Sequence, residues 1–142
     1  MIGKYPAKLD DKNRLIVPAK LRSELGDRFF VTLGINTGRP CLTVYTARDW
    51  DTLQANYNAV PISQRGAATA LIFTNAIECE PDKQARFILA PHLIKYAGID
   101  REVVIAGRAG QAEIWNAEAY EDFERENLTP EKLLSSLEAI GL

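Results

Sequence analysis

This 142-residue chain holds one histidine, His92, and two cysteines, Cys41 and Cys79. A single imidazole cannot build a His-based metal cluster or a repeated dyad. Neither cysteine stands in CxxC spacing, so both read as buried free thiols in preference to a disulfide or a zinc pair. No P-loop, GxGxxG, GxSxG or HExxH pattern occurs, so neither catalysis nor any metal or cofactor is expected. No run approaches the ~18 apolar residues of a membrane span. The opening Met1-Ile2-Gly3-Lys4 leads straight into patterned sequence, which predicts no signal peptide. These absences predict a cytoplasmic, non-enzymatic protein without a membrane or small-molecule partner.

What is present is ordinary globular composition, 46% hydrophobic and 25% charged, with an uneven charge distribution. The formal net charge is -2. The first 28 residues are nevertheless basic, through Lys4, Lys8, Lys12, Arg14, Lys20, Arg22 and Arg28, and the segment from Ala112 onward is strongly acidic. A basic face apart from an acidic one suits an anion-binding surface on a soluble protein. The acidic tail by itself reads as a solvated helical surface.

The dominant signal is an internal repeat. Asp10-Asp11-Lys12-Asn13-Arg14-Leu15-Ile16-Val17-Pro18 matches Asp82-Lys83-Gln84-Ala85-Arg86-Phe87-Ile88-Leu89-Ala90 at an offset of 72, as do Leu21 with Leu93 and Gly26 with Gly98. After a two-residue slip, Val44-Tyr45-Thr46-Ala47 lies beside Ile114-Trp115-Asn116-Ala117. A small unit thus occurs twice, over residues 5–47 and 76–119, with connecting helices at 48–75 and closing helices at 120–142. Each unit reads strand, tight turn, strand, short helix, strand, strand, helix.

In the first unit Leu15-Ile16-Val17 is a strand stopped by Pro18, and Ala19 to Leu25 makes about two helical turns ended by Gly26. Phe29 to Leu33 and Cys41 to Tyr45 are β-branched and aromatic strands. Thr46 caps a helix with Trp50, Leu53 and Tyr57 on its apolar face, and Asp49 can close a capping box. A single helix is predicted from Pro61 through Phe73. In the second unit Asn116 caps a helix carrying Tyr120 and Phe123. Thr129-Pro130-Glu131 opens a last helix with an apolar stripe of Leu133, Leu134, Leu137 and Ile140, which can dock on its own subunit or on a neighbour.

The duplicated loops carry the chemistry. In each, an Asp at the entrance can accept backbone N–H bonds across the turn and brace an Arg at the exit through a charge-assisted pair. Lys12 and Arg14, and likewise Lys83 and Arg86, then project from stiff β-hairpin tips. A guanidinium fits two phosphate oxygens or the O6/N7 edge of guanine in a bidentate way, and a lysine neutralises phosphate. One Asp-x-x-x-Arg is ordinarily a polar turn with a surface ion pair contributing about 0–1 kcal/mol. Two copies in matched context favour binding to a polyanion.

These residues, Leu9 to Arg22 and Pro81-Asp82-Lys83-Gln84-Ala85-Arg86 through Tyr96-Ala97-Gly98, resemble the two DxxxR-centred repeats of the MraZ family. The resemblance covers essentially the whole chain, including Glu78-Cys79-Glu80 and Glu113-Ile114-Trp115. It implies an α+β fold, a pseudo-symmetric swapped-hairpin (SpoVT/AbrB-like) β-barrel with flanking helices, and subunits assembled as a homo-oligomeric ring. It also implies a cytoplasmic, nucleoid-associated transcriptional regulator. The implied target is double-stranded DNA at short direct repeats upstream of the division and cell-wall gene cluster. By motif position Arg14 and Arg86 take the DNA-contacting role, with Lys12, Lys83 and Lys8 on phosphate and Asp10 and Asp82 shaping the loops.

Two residues depart from the family pattern, which usually has glycine before each Arg; here Asn13 and Ala85 stand there. Asn tolerates φ > 0, whereas Ala pays about 1 kcal/mol or takes another turn. On that ground the first loop is expected to contribute more to binding than the second. A second reading, from another class, is an AbrB-like oligomerisation or protein-interaction module, antitoxin-like, whose basic loops meet an acidic protein. An enzyme using Asp10 and Asp82 ranks third, because turn closure already accounts for both acids.

Overall fold

The computed structural model describes residues 1–142 as a mixed α+β fold of antiparallel sheets. The strands are β1 (Lys4–Lys8), β2 (Arg14–Ile16), β3 (Phe29–Asn36), β4 (Arg39–Thr46), β5 (Ile77–Cys79), β6 (Arg86–Ile88), β7 (Glu102–Arg108) and β8 (Gln111–Asn116). The helices are α1 (Arg22–Leu25), α2 (Ala47–Ala59), α3 (Ala67–Thr74), α4 (Pro91–Tyr96), α5 (Ala117–Asn127) and α6 (Pro130–Ala139). A 3-10 turn at Ala19–Leu21 leads into α1, so the predicted two turns of helix are part 3-10.

The hairpins β3–β4 and β7–β8 form the centre of a six-stranded sheet in the order β1-β7-β8-β4-β3-β5. Thr37 (φ 50°) and Gly38 (φ 77°) make the two-residue turn between β3 and β4. Left-handed backbone at both central positions matches the twist of the flanking strands. The outer strands are exchanged: β1 of the first unit pairs with β7 of the second, and β5 of the second pairs with β3 of the first. The short strands β2 and β6 pair only with each other, Leu15 opposite Phe87. The sheet stays open at β1 and β5 instead of closing on itself.

Alternation in the β2–β6 ribbon turns Leu15 and Phe87 inward, where Phe87 meets Phe29 edge-on at 5.1 Å. Leu21 and Leu93, from the matched short helices, are buried in the same cluster. Burying each such side chain contributes about 1.5–3 kcal/mol, so both units share one core.

On the sheet's other face α2 and α3 cover β3 and β4. Thr46 caps α2 by accepting from the Asp49 N–H at 3.1 Å, and Trp50 is buried. The single helix predicted from Pro61 to Phe73 is two: a 3-10 turn at Ile62–Gln64 and α3, separated by Arg65 and Gly66. Arg65 holds that break, its Nε donating to the Val60 carbonyl and its Nη2 to that of Asn58.

Candidate nucleic-acid interface

The two Asp-to-Arg loops have the same bonds throughout. The Asp10 N–H donates to the Arg14 carbonyl (3.0 Å) and the Asn13 N–H to the Asp10 carbonyl (3.0 Å). Asp10 Oδ1 accepts from the N–H groups of Lys12 (2.9 Å) and Arg14 (2.8 Å), and Oδ2 from Arg14 Nε (2.7 Å). In the second loop Asp82 Oδ1 accepts from the N–H groups of Gln84 and Arg86, each at 2.9 Å, and Oδ2 from Arg86 Nε at 2.8 Å. Each carboxyl is held below the ordinary aspartate value chiefly by the backbone N–H of its arginine; burial opposes this, and the guanidinium adds a further lowering contribution. Both acids are therefore ionised and committed to shaping the turn at neutral pH.

The loops are not tips of β-hairpins, as the sequence had suggested. The strands on either side of each loop lie in different sheets: β1 joins β7, and β2 joins β6. The turn is held by the Asp side chain where a hairpin would use a strand ladder. The loops are also clipped to each other, Val17 N–H to the Ala85 carbonyl and Leu89 N–H to that of Asn13, both at 2.8 Å.

Asn13 (φ 58°) and Ala85 (φ 61°) both occupy the left-handed region. Ala85 thus accepts the strain and adopts no alternative turn, which removes the ground for ranking the first loop above the second. Left-handed backbone costs a residue with a Cβ about 1–2 kcal/mol, partly offset because glycine loses more chain entropy on folding. Ala85→Gly is expected to raise stability by about 0.5 kcal/mol with the loop unchanged, as measured by urea unfolding. A fall in the urea midpoint would show the strain to be absent.

Pairing of β2 with β6 brings the two arginines together. Arg14 lies opposite Ile88 and Arg86 opposite Ile16, so the arginines are diagonal neighbours about 7–8 Å apart. All four side chains are on the ribbon face away from Leu15 and Phe87. Each guanidinium spends only Nε on its aspartate, and its two Nη groups have no partner within the chain. Ile16 and Ile88 are 54% and 63% exposed, unlike the buried residues between them. Sequence reading missed these isoleucines, although the matched Arg-Leu-Ile and Arg-Phe-Ile triplets carry the alternation that exposes them.

The lysines differ. Lys12 and Lys83 stand at the exposed turns and make no ion pair. Lys8, at the end of β1, lies 3.6 Å from Glu102, with both side chains well exposed. Basic and acidic residues are less separated than the sequence implied, since Lys4 pairs with Glu124 at 2.8 Å and Arg39 with Glu126 at 2.6 Å. Cys41 and Cys79 are buried free thiols, pushed up to about 12 chiefly by burial, which leaves them poor nucleophiles. His92 Nε2 is satisfied by the Asn75 carbonyl at 2.9 Å.

The chain's sequence matches a family model described as "MraZ protein, putative antitoxin-like", over residues 1–71 and again over 72–133. A transcriptional regulator MraZ of Caldicellulosiruptor bescii is 36% identical over the whole of this chain and 99% of its own length. One of Halothermothrix orenii is 37% identical over 99% of each chain. One of Carboxydothermus hydrogenoformans is 38% identical over 86% of this chain and 85% of its own.

Proposed function

The chain belongs to the MraZ family, and from that premise we propose that it is a sequence-specific DNA-binding transcriptional regulator which reads DNA through the outer face of the β2–β6 ribbon. The carrying observation is the diagonal pair Arg14 and Arg86, each braced through Nε with both Nη groups free. A two-stranded ribbon can enter the major groove, where free guanidinium forks match guanine O6 and N7. Ile16 and Ile88 lie between them, placed to meet thymine methyl groups. Lys12 and Lys83 neutralise phosphate, and Lys8 joins them by releasing Glu102. Asp10, Asn13, Asp82 and Ala85 hold the loop shape.

The two units, residues 5–47 and 76–119, are swapped-hairpin SpoVT/AbrB-like repeats, a reading supported by the exchanged pairings of β1 with β7 and β5 with β3. The protein acts in the cytoplasm, on the nucleoid, as a homo-oligomeric ring on short direct repeats upstream of the division and cell-wall gene cluster. One ribbon makes few phosphate contacts, and each contributes a salt slope of only about −0.9. A ring presenting several ribbons to repeated sites gains through effective concentration.

DNase footprinting and titration on that upstream region test this reading. Protection is expected to span the repeats, affinity to fall steeply with salt, and a fragment with one repeat to bind far more weakly than one with two. Equal binding to both fragments would sink it. The exposed Ile16 and Ile88 also favour a second reading, a module that binds an acidic protein. Such a partner remains bound after nuclease treatment.

A further inference from the structure

The outer face of the ribbon has a two-fold symmetry that its surroundings lack. A half-turn about the Leu15–Phe87 pair exchanges Arg14 with Arg86 and Ile16 with Ile88. It also exchanges the two loops with their matching bonds. A reader with that symmetry takes a site equally well in either direction, whereas each member of a direct repeat points one way. Direction therefore has to come from residues beside the ribbon.

The ladders fix which of those residues correspond. Thr46 and Asn116, the caps of α2 and α5, lie opposite Phe29 and Val103, which in turn lie opposite Cys79 and Ala7. Lys8 of the first unit thus corresponds to Glu80 of the second, at the same offset of 72 that relates the sequences. That offset also sets Lys20 against His92, one residue before the matched Leu21 and Leu93.

In the first unit Lys8 and Lys20 stand exposed on the two walls of a groove of about 410 Å³ between β1 and the 3-10 turn. Ile16 lines the same groove, so it opens onto the ribbon's outer face. Glu102 lies 3.6 Å from Lys8 and leaves Lys20 unpaired. The second unit reverses the signs. Glu80 replaces Lys8, and Arg28, which takes the place of Glu102 in the register, is bonded to Glu78. His92 replaces Lys20 and is held by the Asn75 carbonyl. In the turns Asp11 stands beside Lys12, whereas Lys83 stands beside Gln84, so the second loop is the more positive there. The difference at the flanks is opposite and larger.

We propose that Lys8 and Lys20 clasp one DNA backbone phosphate beside the reading face, and that this one-sided grip sets the direction in which the ribbon lies on each repeat. Two ammonium groups act on a phosphate as point charges and demand no fixed geometry. On the opposite flank Glu80 meets the backbone with like charge, which disfavours the reversed arrangement. This polarity presupposes the ribbon as the reading face and adds its direction.

Interference mapping on a two-repeat promoter fragment tests it. Phosphate ethylation is expected to interfere strongly on one side of each repeat and weakly on the other, with guanine methylation interfering between them. Lys8→Ala/Lys20→Ala, at exposed positions, is expected to erase the strong ethylation signal and keep the guanine signals. It should reduce the salt slope by about 0.9, the share of one phosphate. A Lys8→Glu/Lys20→His/Glu80→Lys/His92→Lys variant exchanges the flanks without altering net charge, and circular dichroism should show it folded. The ethylation signal is then expected on the opposite side of every repeat with the guanine signals in place. Equal ethylation interference on both sides in the wild type would overturn the polarity while leaving the ribbon as the reading face. A strong side that survives Lys8→Ala/Lys20→Ala, or stays put in the exchanged variant, would do the same. Absence of guanine interference, with Arg14→Ala binding as well as the wild type, would remove the reading face and the polarity together.

Discussion

Arg14→Ala/Arg86→Ala is expected to lower affinity for a two-repeat promoter fragment by at least about 30-fold at fixed salt, since each bidentate base contact carries about 1–3 kcal/mol. The single variants are expected to lose comparable amounts, because Asn13 and Ala85 give both loops the same left-handed turn and the same bonds. Arg14→Lys sharpens the test. Lysine keeps the charge for phosphate but lacks the fork, so sequence discrimination should fall while non-specific binding persists. Lys12→Ala should act the opposite way, weakening all sequences alike and reducing the salt slope by about 0.9. Arg14→Ala with unchanged affinity would sink the ribbon as the reading surface. A silent Arg86→Ala beside a damaging Arg14→Ala would mean that only one half of the ribbon engages DNA.

The loops were legible because their geometry is local. Asp10 and Arg14 are four residues apart, and the carboxylate reaches the N–H groups of the very turn it opens. Capping at Thr46, Asn116 and Thr129 was legible for the same reason. Strand exchange was legible only through the family resemblance, which implied a swapped-hairpin core, and not from the residues themselves. Both units carry the same alternation, so nothing local states whether β1 pairs with a strand of its own unit or with β7. The loops were read as hairpin tips on the assumption that neighbours in sequence are neighbours in a ladder. That assumption fails where β2 pairs with β6, and with it went the diagonal placement of Arg14 and Arg86. The break before α3 was missed because Arg65 is a good helix former; its side chain instead satisfies carbonyls at the end of α2.

Glu113→Ala is expected to destabilise the protein by about 3 kcal/mol, the lower end for removing one partner of a buried charged network. Glu113 is 3% exposed on the sheet face away from the main core. Its carboxylate accepts from Arg108 Nη1 (2.7 Å), Trp115 Nε1 (3.1 Å) and Asn36 Nδ2 (3.2 Å), tying the β3–β4 hairpin to the β7–β8 hairpin. Arg108 is half exposed and can turn to water when the acid is gone, which limits the loss. Trp115 is fully buried, so its N–H has no such recourse and carries a full desolvation cost of about 1–3 kcal/mol. At this chain length the melting temperature should fall by about 10 °C. Glu113→Gln keeps an acceptor for Trp115 but sets an amide N–H₂ against Arg108, so an intermediate loss is expected. A Glu113→Ala loss within about 0.5 kcal/mol, ordinary for a surface substitution, would mean that apolar packing alone holds the two hairpins together. Since β4 and β8 form the seam between the units, the rigidity that keeps the two arginines in register depends on this carboxylate as much as on the core beneath the ribbon.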